Sequence, residues 1–260
     1  MIEQNILKIA LIQTALIWEN PLENRHLFSE KIREIPNDTD MIILPEMFTT
    51  GFTMNPERVN AKEGEITVKW MKETAREKNM ALVGSISFKK KNNFTNRLFF
   101  IYPDGTSKSY DKKHTFTFAG EDKVYGSGTK RLVISYKGFL ICPLICYDLR
   151  FPVWSRYKGD YNVLLFVANW PEPRIEAWDT LLKARAIENM SYCIGVNRLG
   201  EDNNTHRYPG HSALYDPLGN QIVFSKKDEV LYASLSLKHL KDLRARFKFL
   251  EDRDHFSLKQ

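Results

Sequence analysis

Between Tyr161 and Arg198 the chain reads YNVLLFVANW, then RIEAWDTLLKARAIENM, then SYCIGVNR. The first segment is apolar enough to be buried on both faces. The second has the length and spacing of a helix, and the third returns as a strand. The same alternation runs through the chain. LKIALIQTAL (7–16) reads as a buried strand. Asn20-Pro21 opens a helix to about Ile35, with Leu22, Leu27, Phe28 and Ile32 on its apolar side. MIILP (41–45) is a strand, and 66–78 is a helix carrying Val68, Met71 and Ala75 at helical spacing. ALVGSISF (81–88) precedes a hairpin over 96–111 that turns at PDG. RLVISYKG and FLICPLIC follow, joined at Lys137-Gly138. HSALYDPLGNQIVF (211–224) is a second hairpin and VLYASL (230–235) a last strand. No repeat, linker or low-complexity segment divides the chain. One α/β domain over residues 1–260 is the economical reading, and its hairpins require mixed sheets.

A chain of 260 residues buries a sizeable core without staples. Its net charge of +6 arises from 38 basic and 32 acidic residues of interspersed sign, as in KKKNN (89–93) against EDRD (251–254). A nucleic-acid partner would call for a basic stripe. The densest basic stretch, KHLKDLRARFK (238–248), reads instead as an amphipathic helix with Leu240, Leu243 and Phe247 inward. Glu3 interrupts any basic leader, and Gln13 and Thr14 break the first apolar run, so neither a signal peptide nor a membrane span is expected. The three cysteines form no secreted framework. Cys142 and Cys146, four residues apart on a strand, would lie ~13 Å apart, beyond disulfide reach. A reducing, cytoplasmic location is the expectation.

Three polar residues follow three apolar runs. MIILP is followed by Glu46, the hairpin strand ending in Tyr110-Asp111 by Lys112, and FLICPLI by Cys146. In α/β sheets, ligand sites gather beyond the carboxyl ends of strands. A glutamate takes the proton of an attacking thiol, and a lysine ammonium favours the thiolate and holds an oxyanion. Taken singly, Glu46 reads as a loop carboxylate, Lys112 as one of a solvated basic pair, and Cys146 as a small core residue. Their common placement at strand ends favours a site. Weaker signals carry less. GSGT (126–129) lacks the lysine and spacing of a phosphate loop and reads as a turn. His206 and His211 have no companion ligands at metal spacing, and His114 is the histidine nearest a motif. Phe116, Phe118 and Trp170 read as core or pocket wall.

LPEMFTTGF (44–52), YDKKHTF (110–116) and CYDLRFPVWSR (146–156) resemble the three signature segments of the nitrilase, or carbon–nitrogen hydrolase, superfamily. VANWPEPR, LLKARAIENMSYCIGVNR and YPGHSALYDPLGN extend the resemblance over almost the whole chain. It implies a four-layer α-β-β-α sandwich with two mixed β-sheets, and a homodimer packed through helical faces. It puts the family's general base on Glu46, its lysine on Lys112, its nucleophile on Cys146 and a further orienting glutamate on Glu121. It implies an oxyanion donor at the Tyr147 backbone N–H, and neither metal nor cofactor. Thr115 departs from the more common leucine of the lysine motif. PEMFTTGF, VANWP and the short length resemble bacterial omega-amidases, which hydrolyse the terminal amide of 2-oxoglutaramate or 2-oxosuccinamate. The substrate implied is therefore a small-molecule amide. Phe116, Trp170 and Arg174 are the candidate substrate contacts, Arg174 for the substrate carboxylate. Arg150 has two readings, a clamp on the substrate carboxylate or a buried partner for Asp148 or a neighbouring carboxylate, and the second is the expectation. Two other readings remain: a broader aliphatic or carbamoyl amidase of the superfamily, and a non-catalytic ligand-binding or redox-sensing protein on the same fold. A glutamine-dependent synthetase is disfavoured, since no second domain follows to use the ammonia.

Overall fold

A computed structural model describes residues 5–91 and 93–258. Glu3 and the Asn92 of KKKNN lie outside the described residues, as do the outermost residues of a 1–260 domain. The first half of the chain runs β1 (Ile6–Gln13), α1 (Pro21–Arg33), β2 (Met41–Ile43), α2 (Glu63–Lys78), β3 (Ala81–Lys90), β4 (Asn93–Ile101), β5 (Ser107–Asp111) and the short α3 (Glu121–Val124). The second half runs β6 (Ile134–Tyr136), β7 (Phe139–Ile145), α4 (Pro152–Ser155), β8 (Val163–Ala168), α5 (Ile175–Asn189) and β9 (Tyr192–Asn197). It continues through β10 (Leu199–Glu201), β11 (Arg207–Pro209), β12 (Ser212–Tyr215), β13 (Gln221–Ser225), β14 (Glu229–Ser236) and α6 (Leu237–Phe247).

Two six-stranded sheets form, ordered β14-β1-β2-β3-β4-β5 and β13-β12-β9-β8-β7-β6. Both are mixed. β1, β2 and β3 are parallel, and so are β7, β8 and β9, while antiparallel strands flank each set. Period-two alternation divides each strand between two layers. Leu7, Ile9 and Leu11 of β1 enter the core between the sheets, with Ile141, Ile145 and Leu165 of the second sheet. Ala10 and Ile12 face the other way, onto Phe28 and Ile32 of α1 and Met71 and Ala75 of α2. Trp178, Leu182 and Ala186 of α5 join the core from the outer side of the second sheet. The result is the α-β-β-α sandwich that the sequence implies.

Leu22 is a correction, being 52% exposed. Asn20 caps α1, accepting from the Glu23 N–H, and this phase turns Pro21, Asn24, Arg25, Phe28 and Ile32 inward. Two of those positions are polar, which hydropathy alone assigns to water. Asn24 donates to the carbonyls of Ile17, Asn20 and Thr49, and Arg25 pairs with Glu63 at 2.6 Å. The β10–β11 ribbon was not expected, because its three-residue strands lie in the polar stretch LGEDNNTHRYP.

The GSGT turn positions a strand end. Gly128 donates its N–H to the Lys112 carbonyl at 2.7 Å, and a Cβ on Gly128 would stand 2.0 Å from the Asp111 carbonyl oxygen. Backbone cannot rotate away as a side chain can. Gly128→Ala is expected to destabilise the fold by about 1–3 kcal/mol, the range for overpacking. Gly126→Ala, whose Cβ would meet nothing nearer than 3.8 Å, should stay close to the parent. Urea midpoints of the two variants check this, and equal midpoints would refute it.

Candidate active site

Glu46, Lys112 and Cys146 follow β2, β5 and β7, and the fold brings all three to one end of the sandwich. Along β5 the inward face carries Tyr110, and the next position on that face is Lys112. Its ammonium is fully buried. Nζ donates to Glu46 Oε1 at 2.9 Å and to both carboxylate oxygens of Glu121, at 3.0 and 2.9 Å. Burial opposes the charge, but Glu121 and then Glu46 outweigh it and hold Lys112 above the ordinary lysine range. Glu121, at the start of α3, is raised by burial and pulled back by Lys112. The Phe116 N–H donates to its second oxygen at 2.5 Å.

Two asparagines complete this cluster, and the sequence reading assigned a role to neither. Asn96 Nδ2 bridges the carboxylates, donating to Glu46 Oε1 at 2.7 Å and Glu121 Oε1 at 3.2 Å. A signal for it existed. Asn96, Leu98 and Phe100 alternate along β4, so a polar residue continues the face that Leu98 and Phe100 bury. Asn169, just past β8, donates its N–H to Glu46 Oε2 at 2.8 Å and its Nδ2 to the Glu46 carbonyl at 2.6 Å. Glu46 is thus clamped at both oxygens and at its backbone.

Cys146 stands where β7 gives way to a 3-10 turn over Cys146–Arg150. Its φ is +41°, a left-handed conformation that costs about 1 kcal/mol or more for a residue with a Cβ. The elbow puts Cys146, a partly buried residue, on the wall of a cavity of about 340 Å³. Sγ lies 3.9 Å from the Asn169 carbonyl oxygen. Burial, then the Glu46 charge, pushes the thiol well above the ordinary cysteine range, and Lys112 only partly opposes them. Lys112 favours the thiolate as expected, but burial and Glu46 together outweigh it. The sulfur holds its proton beside a carboxylate. The Tyr147 N–H belongs to the first turn of the 3-10 segment, which has no acceptor for it within the turn.

Asp148 braces the elbow from beneath. It accepts from the Tyr110 hydroxyl (2.7 Å), the Ile145 N–H (3.0 Å) and the His114 N–H (3.0 Å), with His114 Nδ1 at 2.8 Å. These partners fill its oxygens, so Arg150 is not its partner. Arg150 instead lies over the Trp170 ring, 4.9 Å from the centroid, on the cavity wall. His114 is stacked on Phe151 at 3.8 Å and held by Asp148 rather than by the thiol. Phe116, Trp170 and Arg174 also line the cavity, and the largely exposed Phe118 stands at its rim. Arg174 lies 5.3 Å over Phe116. The β10–β11 loop, unassigned in the sequence, adds Asp202, Asn204 and His206 to the wall. His211 lies elsewhere, 2.7 Å from Asp179. Thr115 Oγ1 lies 3.3 Å from Ser127 Oγ. Among the described residues no three His, Cys, Asp or Glu side chains come together as metal ligands.

Residues 8–245 match the family described as carbon-nitrogen hydrolase. The chain is 41% identical over 254 residues to the omega-amidase YafV of Yersinia enterocolitica, covering 97% of this chain and 98% of that one. It is 30% identical over 251 residues to the 2-oxoglutaramate amidase of Bacillus subtilis, covering 94% and 96%. Among solved structures, a carbon–nitrogen hydrolase superfamily protein of Xanthomonas campestris, crystallised with an arsenic adduct in its active site, superposes with a TM-score of 0.94. Identity there is 38%, over 98% of this chain and 99% of that one. A family match over residues 8–245, with relatives and a solved structure that share the chain nearly end to end, makes this chain a member of the carbon–nitrogen hydrolase family.

Proposed function

We propose that the protein is an omega-amidase, hydrolysing the terminal amide of a 2-oxo dicarboxylic acid monoamide such as 2-oxoglutaramate to the 2-oxo acid and ammonia. The observation that carries the chemistry is the buried Glu46–Lys112–Glu121 cluster beside the Cys146 thiol on a cavity wall. The similarity to two amidases, one of them for 2-oxoglutaramate, supports the substrate.

In this reading Cys146 is the nucleophile and Glu46 the general base. Sulfur attacks the amide carbon as its proton passes to Glu46, and the carbonyl pair moves onto oxygen. The Tyr147 N–H and the Lys112 charge stabilise that oxyanion. Three contacts to carboxylates already occupy the Lys112 ammonium, so it acts there mainly as a fixed charge. The C–N bond then breaks, the nitrogen takes the proton from Glu46, and ammonia leaves a thioester. Water, giving its proton to Glu46, adds to the thioester carbon, and collapse releases the 2-oxo acid and the thiol. Glu121 and Asn96 hold Lys112 and Glu46 in place throughout. No step calls for a metal or an organic cofactor. Two protomers pack through helical faces in the same reading, and the exposed Val153 and Ile187, on α4 and α5, suit such a contact. A reducing, cytoplasmic location goes with three free cysteines.

Cys146→Ser is expected to fold and to lose nearly all ammonia release, because a hydroxyl is a far poorer nucleophile at neutral pH. Cys142→Ala and Cys193→Ala remove thiols buried away from the cavity and should retain turnover. Lys112→Ala should cost on the order of 3 kcal/mol or more in the barrier, about a hundredfold in kcat. Parent-like turnover in Cys146→Ser sinks the mechanism.

The raised thiol sets a pH signature. Iodoacetamide labelling of Cys146 should lag that of a free thiol at neutral pH and climb only above the usual thiol range. Glu46→Gln removes the negative charge while Lys112 keeps its own, so the labelling profile should move to lower pH as turnover collapses. A profile that stays put in Glu46→Gln removes Glu46 from contact with the thiol. Sedimentation equilibrium tests the dimer, and a mass near the 30.4 kDa of one chain excludes it.

A further inference from the structure

The cavity that holds Cys146 is lined by two guanidinium groups, those of Arg150 and Arg174. Among the described residues neither has an ion pair or a side-chain hydrogen bond. Each lies over an aromatic ring, Arg150 on Trp170 at 4.9 Å and Arg174 on Phe116 at 5.3 Å from the centroid. Trp170 joins the two: its face carries Arg150, and its Nε1–H donates to the Arg174 carbonyl at 2.7 Å. Phe116 packs edge-on against Tyr147, the residue after Cys146, with centroids 4.9 Å apart. The aromatic faces fix both cations and leave their N–H edges free. The other charges around the cavity are matched. Lys112 has Glu46 and Glu121. Asp202 turns to its own loop, accepting from the Tyr208 hydroxyl and the N–H groups of Asn204 and His206.

We propose that Arg150 and Arg174 form one anion site for the 2-oxo acid head of the substrate. One guanidinium forks onto the carboxylate, and the other bridges a carboxylate oxygen and the 2-oxo oxygen. The proposal rests on the omega-amidase reading and adds a selection to it. A 2-oxo acid offers a planar row of acceptor oxygens and no donor, which suits two donor-only forks. L-Glutamine carries an ammonium where the 2-oxo oxygen would lie. That ammonium meets two cations and no free carboxylate. The pair therefore selects keto acid over amino acid, as well as anion over neutral amide; a plain carboxylate needs only one guanidinium.

The test measures kcat/KM for 2-oxoglutaramate, glutaramate, L-glutamine and butyramide in the parent, Arg150→Met, Arg174→Met and the double variant. Methionine keeps the apolar contact with the ring and drops the charge. The parent should rank 2-oxoglutaramate above glutaramate and L-glutamine last among these anionic or zwitterionic amides. Each single variant should lower the 2-oxoglutaramate to butyramide ratio by roughly tenfold or more, the scale of a charge-assisted hydrogen bond. The double variant should narrow the gap between 2-oxoglutaramate and L-glutamine. Should a methionine variant fail to fold, the corresponding lysine variant, which keeps charge and loses the fork, must still lower the 2-oxoglutaramate to glutaramate ratio. An unchanged ratio in either single variant overturns the two-arginine site while leaving the omega-amidase reading intact. A parent that prefers butyramide to 2-oxoglutaramate removes that reading and the site with it.

Discussion

A lysine ammonium without access to water is the constraint around which this end of the molecule is arranged. Taking Lys112 out of water costs several kcal/mol, and only close opposite charge offsets it. The fold supplies two carboxylates from two different loops, Glu46 after β2 and Glu121 at the start of α3. Each is held by groups from elsewhere: Glu46 by Asn169 from the second sheet, Glu121 by the Phe116 N–H, and both by Asn96. Loss of one partner leaves an uncompensated charge in a dry place. The cluster therefore locks the ends of β2, β4, β5 and β8 into one relative position.

The division of labour along each strand follows from that. The middles are apolar and form the layers, and the ends carry the polar groups. β7 shows the transition within four residues. Leu144 and Ile145 are wholly buried, Cys146 turns left-handed, and the next residues make a 3-10 turn whose aspartate reaches back to the Ile145 N–H. A strand that simply continued would bury the sulfur as it buries Cys142. The elbow brings it to the cavity wall at a modest conformational cost, and Tyr110, His114 and Asp148 hold it there.

Much of this was legible in the residues, because the signals were local. Apolar runs bounded by turn residues gave the strands, and helical spacing gave α2 and α5. Glu46, Lys112 and Cys146 stood out as the polar group after an apolar run. What was not legible depended on three-dimensional partners. Leu22 looked like part of the α1 stripe until Asn24 and Arg25, both satisfied by distant groups, took the buried positions. Arg150 was expected beside Asp148 or a neighbouring carboxylate, yet the turn sends Asp148 to Tyr110 and His114 and Arg150 to Trp170. Asn96 continued the buried face of Leu98 and Phe100, but its partners, the carboxylates of Glu46 and Glu121, come from distant segments. The β10–β11 ribbon had no period at all to read.

The resting state of the thiol has a consequence for survival in an oxidising episode. Peroxide attacks thiolate, and sulfenic and sulfinic acids form fastest on cysteines that ionise near neutral pH. Cys146 has the opposite setting, since burial and Glu46 keep the proton on sulfur. Cys142 and Cys193 are buried outright, and burial pushes Cys142 up to about 12. The protein thus carries three free thiols without a standing thiolate for peroxide to find.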